Sequence, residues 1–182
     1  MTAAFQNLRS VTETLLSPVM DYSAAREAAL SLNKLFRETV AFDEMEPANQ
    51  PHILTESGLA VGPMSAAFCI VDFIRTRKFI LGIKDAIDER LRINPGKPVT
   101  VLYAGTGPFA TLLTPMITVF SPAQLRMVLL EINPVSCRYL QKTIRQFGME
   151  DYIIDVVLAD SAAYSIPDHQ QPDIIVSETM KP

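Results

Sequence analysis

Four short apolar segments, each rich in β-branched residues, recur after residue 97 and are separated by longer stretches. They occupy residues 98–105, 124–132, 152–160 and 172–180. Strands that are apolar along nearly their whole length are typical of parallel sheets buried on both faces. Parallel strands also need long crossover connections, which the intervening stretches can supply. The pattern therefore predicts an α/β fold with a parallel sheet of at least four strands, covered on both faces.

Two of the intervening stretches have helical character. Residues 109–120 are predicted to form a helix in which Pro115 threatens a kink. Residues 134–148 are predicted to form a second helix, with Pro134 in its first turn and Gly148 at its C′ position. Both helices would connect parallel strands, as an α/β fold requires.

The part of the chain before residue 97 is predicted to be mainly helical. Residues 23–40 have helical apolar spacing, with Ser23 as the N-cap. Residues 41–63 contain three prolines and two glycines and are predicted to form a loop. Residues 64–93 are predicted to form one long helix, which Asn94-Pro95-Gly96 would end.

These elements divide the chain into two parts. Residues 1–63 would form an N-terminal helical segment and loop, and residues 64–182 a Rossmann-like domain. The sequence stops at "SETMKP", just after the fourth predicted strand. An open sheet of four strands would leave an edge and apolar surface uncovered. We therefore expect an apparently truncated sheet, either a fragment of a longer protein or one that another chain completes.

Composition excludes several classes of protein. Of 182 residues, 48% are hydrophobic, which is enough for a sizeable core. A net charge of −4 without a long basic run argues against nucleic acid or an anionic membrane as partner. The two cysteines, Cys69 and Cys137, are too few for a disulfide framework and favour a cytoplasmic location. His52 and His169 lie far apart without ligand spacing, so no metal site is predicted.

The first predicted strand ends in "VLYAGTGPFA", residues 101–110. Gly105 and Gly107 remove side chains where backbone would approach a ligand, and Pro108 fits the first turn of a helix. Ligands of open parallel sheets bind at the carboxyl ends of the strands. The alternative is a tight turn without a ligand. The predicted cofactor-binding turn comprises Tyr103, Ala104, Gly105, Thr106 and Gly107.

Polar residues also follow the second and third strands. Glu131 could accept hydrogen bonds from both hydroxyls of an adenosine ribose, and Asp160 and Ser161 suit the adenine amino group. The same residues could be solvated carboxylates at strand ends. "GTGPFA" also fits the dinucleotide pattern, so NAD and S-adenosylmethionine both remain candidates at this point.

Four motifs resemble those of protein arginine methyltransferases, within the class I S-adenosylmethionine-dependent methyltransferases. "DFIRT" at 72–76 with Phe79 resembles the helix that leads into that core, and "EINP" at 131–134 its second-strand motif. "DIIVSETM" at 173–180 resembles its fourth-strand motif, and "AGTGP" the Gly-x-Gly-Pro form of one branch. The resemblance runs from about residue 64 to the end of the chain.

This resemblance implies roles for individual residues. Arg75 would pair with the methionine carboxylate of the cofactor, and Asp72 would orient Arg75 or bind the cofactor amine. Glu178 would be the catalytic residue that faces the methyl acceptor. Two positions depart from the common pattern: Tyr103 stands where many methyltransferases have an acidic residue, and Phe109 stands at the third glycine position. Tyr103 cannot accept a hydrogen bond from the cofactor amine as a carboxylate would, so that contact is either missing or made by another residue.

The sequence thus predicts an S-adenosylmethionine-dependent methyltransferase that acts on a guanidinium or amine nitrogen. Its partners would be S-adenosyl-L-methionine and a methyl acceptor, either a protein or a small molecule, and it could form a homodimer. Two alternatives stay open. One is an NAD-binding Rossmann oxidoreductase, and the other is a non-catalytic cofactor-binding fragment or scaffold.

Overall fold

A computed structural model of the chain describes residues 2–56 and 58–178. Two helices, α1 (Ala3–Leu15) and α2 (Tyr22–Thr39), form an N-terminal pair. The Asp21 carboxylate caps α2 by accepting the Ala24 N–H at 3.0 Å. Ser23 is therefore inside the helix, and its predicted role as N-cap is wrong, because Asp21 already satisfies a free N–H of the first turn.

A small antiparallel hairpin lies inside the predicted loop 41–63. Its strands are β1 (Ile53–Thr55) and β2 (Gly58–Ala60). The base of the hairpin is fixed where the Gly62 N–H donates to Nδ1 of His52 at 2.9 Å. Strands of three residues are too short to produce a period of two in the sequence, so the loop prediction missed them.

The predicted helix 64–93 is broken. Helix α3 (Pro63–Phe68) is followed by a 3₁₀ turn, Cys69–Val71, before α4 (Phe73–Ile93) begins. Asp72 has φ −71° and ψ 79°, and its carboxylate accepts a backbone N–H of the first turn of α4 at 3.2 Å. An aspartate that caps a new helix ends the preceding one, because its side chain competes with the helical hydrogen bonds.

The main sheet is parallel and has four strands in the order β5-β4-β3-β6. The strands are β3 (Val99–Ala104), β4 (Leu125–Glu131), β5 (Ile153–Leu158) and β6 (Ile174–Ser177). These strands confirm the predicted α/β, Rossmann-like sheet. Residues 179 and 180 of the predicted fourth strand lie outside the described residues.

The strand order reverses beside β3. The chain proceeds outward from β3 to β4 and β5, and then returns to place β6 on the other side of β3. A crevice forms at such a switch point, outside the carboxyl ends of the central strands. Helix α5 (Pro134–Phe147) links β4 to β5, is capped by Asn133 and ends at Gly148 with φ 69°. Its bounds agree with the predicted helix 134–148.

The predicted helix 109–120 is wrong. The structure has turns there, followed by a 3₁₀ helix at Thr114–Thr118. Ala110 has φ 44°, in the left-handed region that an α-helix cannot contain. Pro115 then removes a backbone donor in the middle of the segment. Apolar spacing alone suggested a helix, whereas these two positions prevent an α-helix from forming.

Most of the core lies on one face of the sheet. Side chains of α1, α2, α4 and α5 pack there in one hydrophobic cluster with the inward residues of β3 and β4. Phe36 of α2 is fully buried, with ring centroids 5.4 Å from Phe109 and 5.5 Å from Phe147. The N-terminal helices therefore share their core with the sheet. None of the described helices is both long and apolar enough to cross a membrane.

The opposite face of the sheet is covered by a different kind of segment. A small buried cluster of Leu102, Ala104, Val128 and Leu130 packs against Tyr164 and Ile166, which follow β5 in a non-helical segment. Among the described residues, no helix contributes to this cluster. This face is thus covered, at least over these four residues, by the segment after β5 rather than by a helix.

The packing of α2 predicts the effect of one truncation. Phe36→Ala should lower the free energy of unfolding by about 3–5 kcal/mol, because it leaves a cavity in the shared core. Leu30→Ala, on the exposed side of the same helix, should change it by less than about 0.5 kcal/mol. Urea denaturation of both variants measures the difference. Equal effects would mean that α2 does not belong to the core of the sheet.

Candidate functional site

A cavity of about 410 Å³ opens at the carboxyl ends of the parallel strands. Its floor is the turn after β3, and its walls come from the ends of β4, β5 and β6, the hairpin and the segment 66–76. Its volume falls within the range of about 300–1,000 Å³ that is usual for small-molecule sites. The cavity therefore lies where an open parallel sheet places its ligand.

The floor depends on two glycines with left-handed backbone. Gly105 has φ 78° and Gly107 has φ 61°, and the Gly105 N–H donates to the Leu130 carbonyl at 2.8 Å. A Cβ on Gly107 would lie 3.2 Å from the Cβ of Ala66 in the cavity wall. Glycine thus allows both the turn and its close approach to the neighbouring wall.

Glu131 connects the end of β4 to this turn. Glu131 is buried, with only 5% of its surface exposed. Its Oε2 accepts the Gly107 N–H at 2.7 Å, and its Oε1 accepts the Asn133 N–H at 2.8 Å. Burial raises the pKa of Glu131, and these backbone hydrogen bonds oppose the rise. The Thr106 hydroxyl makes a longer contact with the same Oε2 at 3.5 Å, and a ligand hydroxyl that binds this oxygen would replace that contact.

Three side chains meet at the other side of the cavity. The Tyr103 hydroxyl donates to Oε2 of Glu178 at 2.7 Å, and the Arg75 guanidinium forms an ion pair with Oε1. Tyr103 is buried, and both burial and the neighbouring Glu178 carboxylate raise the pKa of its phenol, which therefore stays protonated. The Cζ of Arg75 also lies 5.7 Å from the ring centroid of Phe79.

The end of β5 contributes a third polar group. Asp160 and Ser161 line the cavity, and Oδ1 of Asp160 accepts the Ala162 N–H at 2.9 Å. Because β5 and β6 are separated by β4 and β3, their carboxyl ends are three strand spacings apart, about 14 Å. The polar groups are thus spread along an elongated site.

Most of the predicted site residues meet in this one cavity. Those that line it are Arg75, Tyr103, Gly105, Thr106, Gly107, Glu131, Asp160, Ser161 and Glu178. Asp72 and Ala104 are not among the lining residues. Asp72 caps α4, and Ala104 packs in the small cluster on the opposite face of the sheet.

Sequence reasoning missed one wall of the cavity. The residues that form it are Leu59, Ala60, Val61, Ala66, Cys69, Ile70 and Thr76. They come from the hairpin, from α3 and from the segment around the break before α4. The break at Asp72 was the available signal, since a cap within an apparently continuous helix turns the chain. No comparable signal marked the hairpin.

The charges around the cavity are mainly negative. Three carboxylates, of Glu131, Asp160 and Glu178, line it together with one guanidinium, of Arg75. Such a set suits a ligand that carries positive charge and also presents a carboxylate or hydroxyl groups. It is unfavourable for a ligand with several phosphates.

Known proteins show little similarity to this chain. No family model matches the sequence, and no curated protein matches it. Among solved structures, the chain is similar to a crystal structure of MtNAS in complex with MTA and tNA, with 14% identity and a TM-score of 0.40. The match covers 93% of this chain and 60% of that chain, so this chain spans less than two thirds of its length.

A likeness this low does not bear on ligand or reaction, which depend on the contacts described above. The resemblance to arginine methyltransferases accordingly rests on the sequence motifs alone.

The burial of Glu131 predicts a pH dependence of stability. Its pKa is raised above the ordinary value of 4.5 in the folded chain, so the folded state binds this proton more tightly than the unfolded state. This stabilisation is fully present below the unfolded pKa and is lost as pH rises through the folded pKa. Glu131→Gln removes the titration.

Urea unfolding from about pH 4 to about pH 7 measures the effect. The unfolding free energy of the native chain, relative to that of Glu131→Gln, should fall as pH rises. Glu13→Gln, which alters an exposed ion pair with Arg9, should show no such trend. A relative stability that rises with pH would contradict the raised pKa.

Proposed function

We propose that the chain binds S-adenosylmethionine and transfers its methyl group to a nucleophilic acceptor. The observation that carries the proposal is the buried Glu131 carboxylate, which is held against the glycine turn at the carboxyl end of β4. A carboxylate in this position accepts hydrogen bonds from the hydroxyls of a ribose that lies over the turn.

Two features disfavour the dinucleotide alternative. A dinucleotide site binds pyrophosphate with the free N–H groups of the glycine turn and of the helix that follows it. Here the Gly107 N–H already donates to Glu131, and residues 105–124, all of which the structure describes, contain no α-helix. A pyrophosphate would meet a carboxylate where it needs donors. An adenosyl ligand without phosphate avoids this repulsion.

The groups present in the cavity fit the cofactor. The negative charges of Glu131, Asp160 and Glu178 favour a sulfonium, and the Arg75 guanidinium supplies a partner for an amino-acid carboxylate. Glu131 would hold the ribose, and Asp160 and Ser161 would border the adenine. The length of the site, from the end of β5 to the end of β6, allows both ends of such a ligand to be bound.

When bound, the cofactor supplies an electrophilic methyl group on a positively charged sulfur. The chain's own residues then have to align the acceptor and exclude water. Leu59 of the hairpin and Val61, which follows it, contribute apolar surface to one wall of the cavity. The resemblance to arginine methyltransferases favours a guanidinium or amine nitrogen as the acceptor. Such a nitrogen is protonated at neutral pH, so methyl transfer would also require that it release one proton, to solvent or to a carboxylate of the cavity.

Gly107 offers a test with a matched control. Gly107→Ala should weaken binding of S-adenosylhomocysteine by about tenfold or more, since its Cβ would press on Ala66 and disturb the cavity floor. Gly148→Ala introduces the same kind of backbone strain, at φ 69°, but its Cβ meets nothing within 4 Å. That control should bind as the native chain does. Titration calorimetry measures all three affinities.

The same titrations test the alternatives. Tight binding of NADH with no binding of S-adenosylhomocysteine would overturn the proposal in favour of an oxidoreductase. Binding of S-adenosylhomocysteine without transfer of labelled methyl to any amine, guanidine or protein acceptor would support the non-catalytic alternative. Equal affinities of Gly107→Ala and Gly148→Ala would place the ligand away from the glycine turn.

A further inference from the structure

Position 103 raises a question about how the amino-acid end of the cofactor is bound. An α-amino acid carries both an ammonium and a carboxylate, so a buried site for it needs an anionic and a cationic partner side by side. Tyr103 cannot be the anion, because its buried phenol is protonated and donates its hydrogen bond. The carboxylate for the ammonium must come from another residue.

Among the described residues that line the cavity, one carboxylate lies beside the guanidinium. Glu178 pairs directly with Arg75, whereas Glu131 is engaged by the backbone of the glycine turn. Asp160 follows β5, on the far edge of the sheet from β6. Asp72 caps α4 and is outside the cavity lining. Within the described residues that line the cavity, Arg75 and Glu178 are therefore the pair that matches a zwitterion.

Tyr103 fixes the position of the Glu178 carboxylate. Tyr103 pairs with Val176 in the sheet register, so the end of β6 is next to the end of β3. The Tyr103 hydroxyl then holds Oε2 of Glu178 at 2.7 Å. The carboxylate of Glu178, which follows β6, therefore lies at the carboxyl end of β3, where an acidic residue at position 103 would otherwise place its own carboxylate. Tyr103 is a positioning residue in this arrangement.

Both charged groups retain capacity for a ligand. A guanidinium has five N–H donors and a carboxylate has about four lone-pair sites, so the contacts of Glu178 with Arg75 and Tyr103 leave acceptors and donors unused. The Glu178 side chain is 15% exposed and that of Arg75 is 34% exposed. A zwitterion can therefore add to the pair without breaking it.

We propose that Glu178, oriented by Tyr103, binds the ammonium of the cofactor's amino-acid moiety, while Arg75 binds its carboxylate. This inference rests on the proposed function and reassigns Glu178 from the methyl acceptor to the cofactor. It makes the end of the cavity at β3 and β6 selective for ligands that carry an α-ammonium group. The acceptor then has to be aligned by other parts of the cavity.

Three adenosyl probes separate the contacts. S-adenosylhomocysteine has both charges, its decarboxylated analogue keeps only the ammonium, and 5′-methylthioadenosine has neither. Glu178→Gln should weaken the first two by about tenfold or more and leave the third unchanged. Arg75→Gln should weaken only S-adenosylhomocysteine. Calorimetric affinities are the readout, and far-UV spectra confirm that each variant is folded.

Tyr103→Phe provides a second, milder test. It keeps the buried ring and removes only the hydroxyl that orients Glu178. It should weaken both ammonium-bearing probes by a smaller factor and leave 5′-methylthioadenosine unchanged. Glu13→Gln, which removes a carboxylate from an exposed ion pair in α1, should change none of the affinities.

The outcomes distinguish this inference from the proposed function. If 5′-methylthioadenosine and S-adenosylhomocysteine both bind but Glu178→Gln and Tyr103→Phe leave both affinities unchanged, the assignment of Glu178 is wrong and the adenosyl site stands. If Glu178→Gln binds S-adenosylhomocysteine as tightly as the native chain does but no longer transfers methyl groups, Glu178 contacts the methyl acceptor and not the cofactor. If no adenosyl probe binds the native chain, both proposals fail.

Discussion

The site depends on the contact between the Glu131 carboxylate and the Gly107 N–H. This hydrogen bond ties the carboxyl end of β4 to the turn after β3, so two strand ends and the cavity floor form one unit. It also uses the N–H that a phosphate would need and places a negative charge there. The same contact thereby organises the floor and disfavours dinucleotides. Burying a carboxylate is costly, and a second backbone hydrogen bond from Asn133 offsets part of that cost.

The distribution of the helices explains how the cavity acquires its walls. The buried side chains of α1, α2, α4 and α5 belong to one cluster on one face of the sheet. This packing carries the N-terminal part of the chain up to the carboxyl ends of the strands, where the hairpin and the break at Asp72 close the cavity. The N-terminal segment therefore contributes to the site through packing, although its sequence carries no recognisable motif.

The cluster of Arg75, Tyr103 and Glu178 depends on contacts between segments that are distant in the sequence. Its three members come from a helix, a central strand and the end of a neighbouring strand, and the Tyr103–Glu178 contact spans 75 residues of sequence. The carboxylate at the end of β6 gives this side of the cavity the negative charge that Tyr103 lacks. A tyrosine of one strand and a carboxylate at the end of another meet here because the strand order places the two strand ends side by side.

The sequence by itself determined the parallel α/β sheet, helix α5 and the charged residues that line the cavity. Apolar strands, proline and glycine at helix ends, and polar residues directly after strands are local signals with local physical causes. Tertiary structure decided the remaining features: the break at Asp72, the turns and 3₁₀ helix in place of the predicted helix 109–120, the hairpin wall and the partner of Tyr103. Each of these depends on backbone conformation or on contacts between distant segments, and periodicity within a short window contains neither.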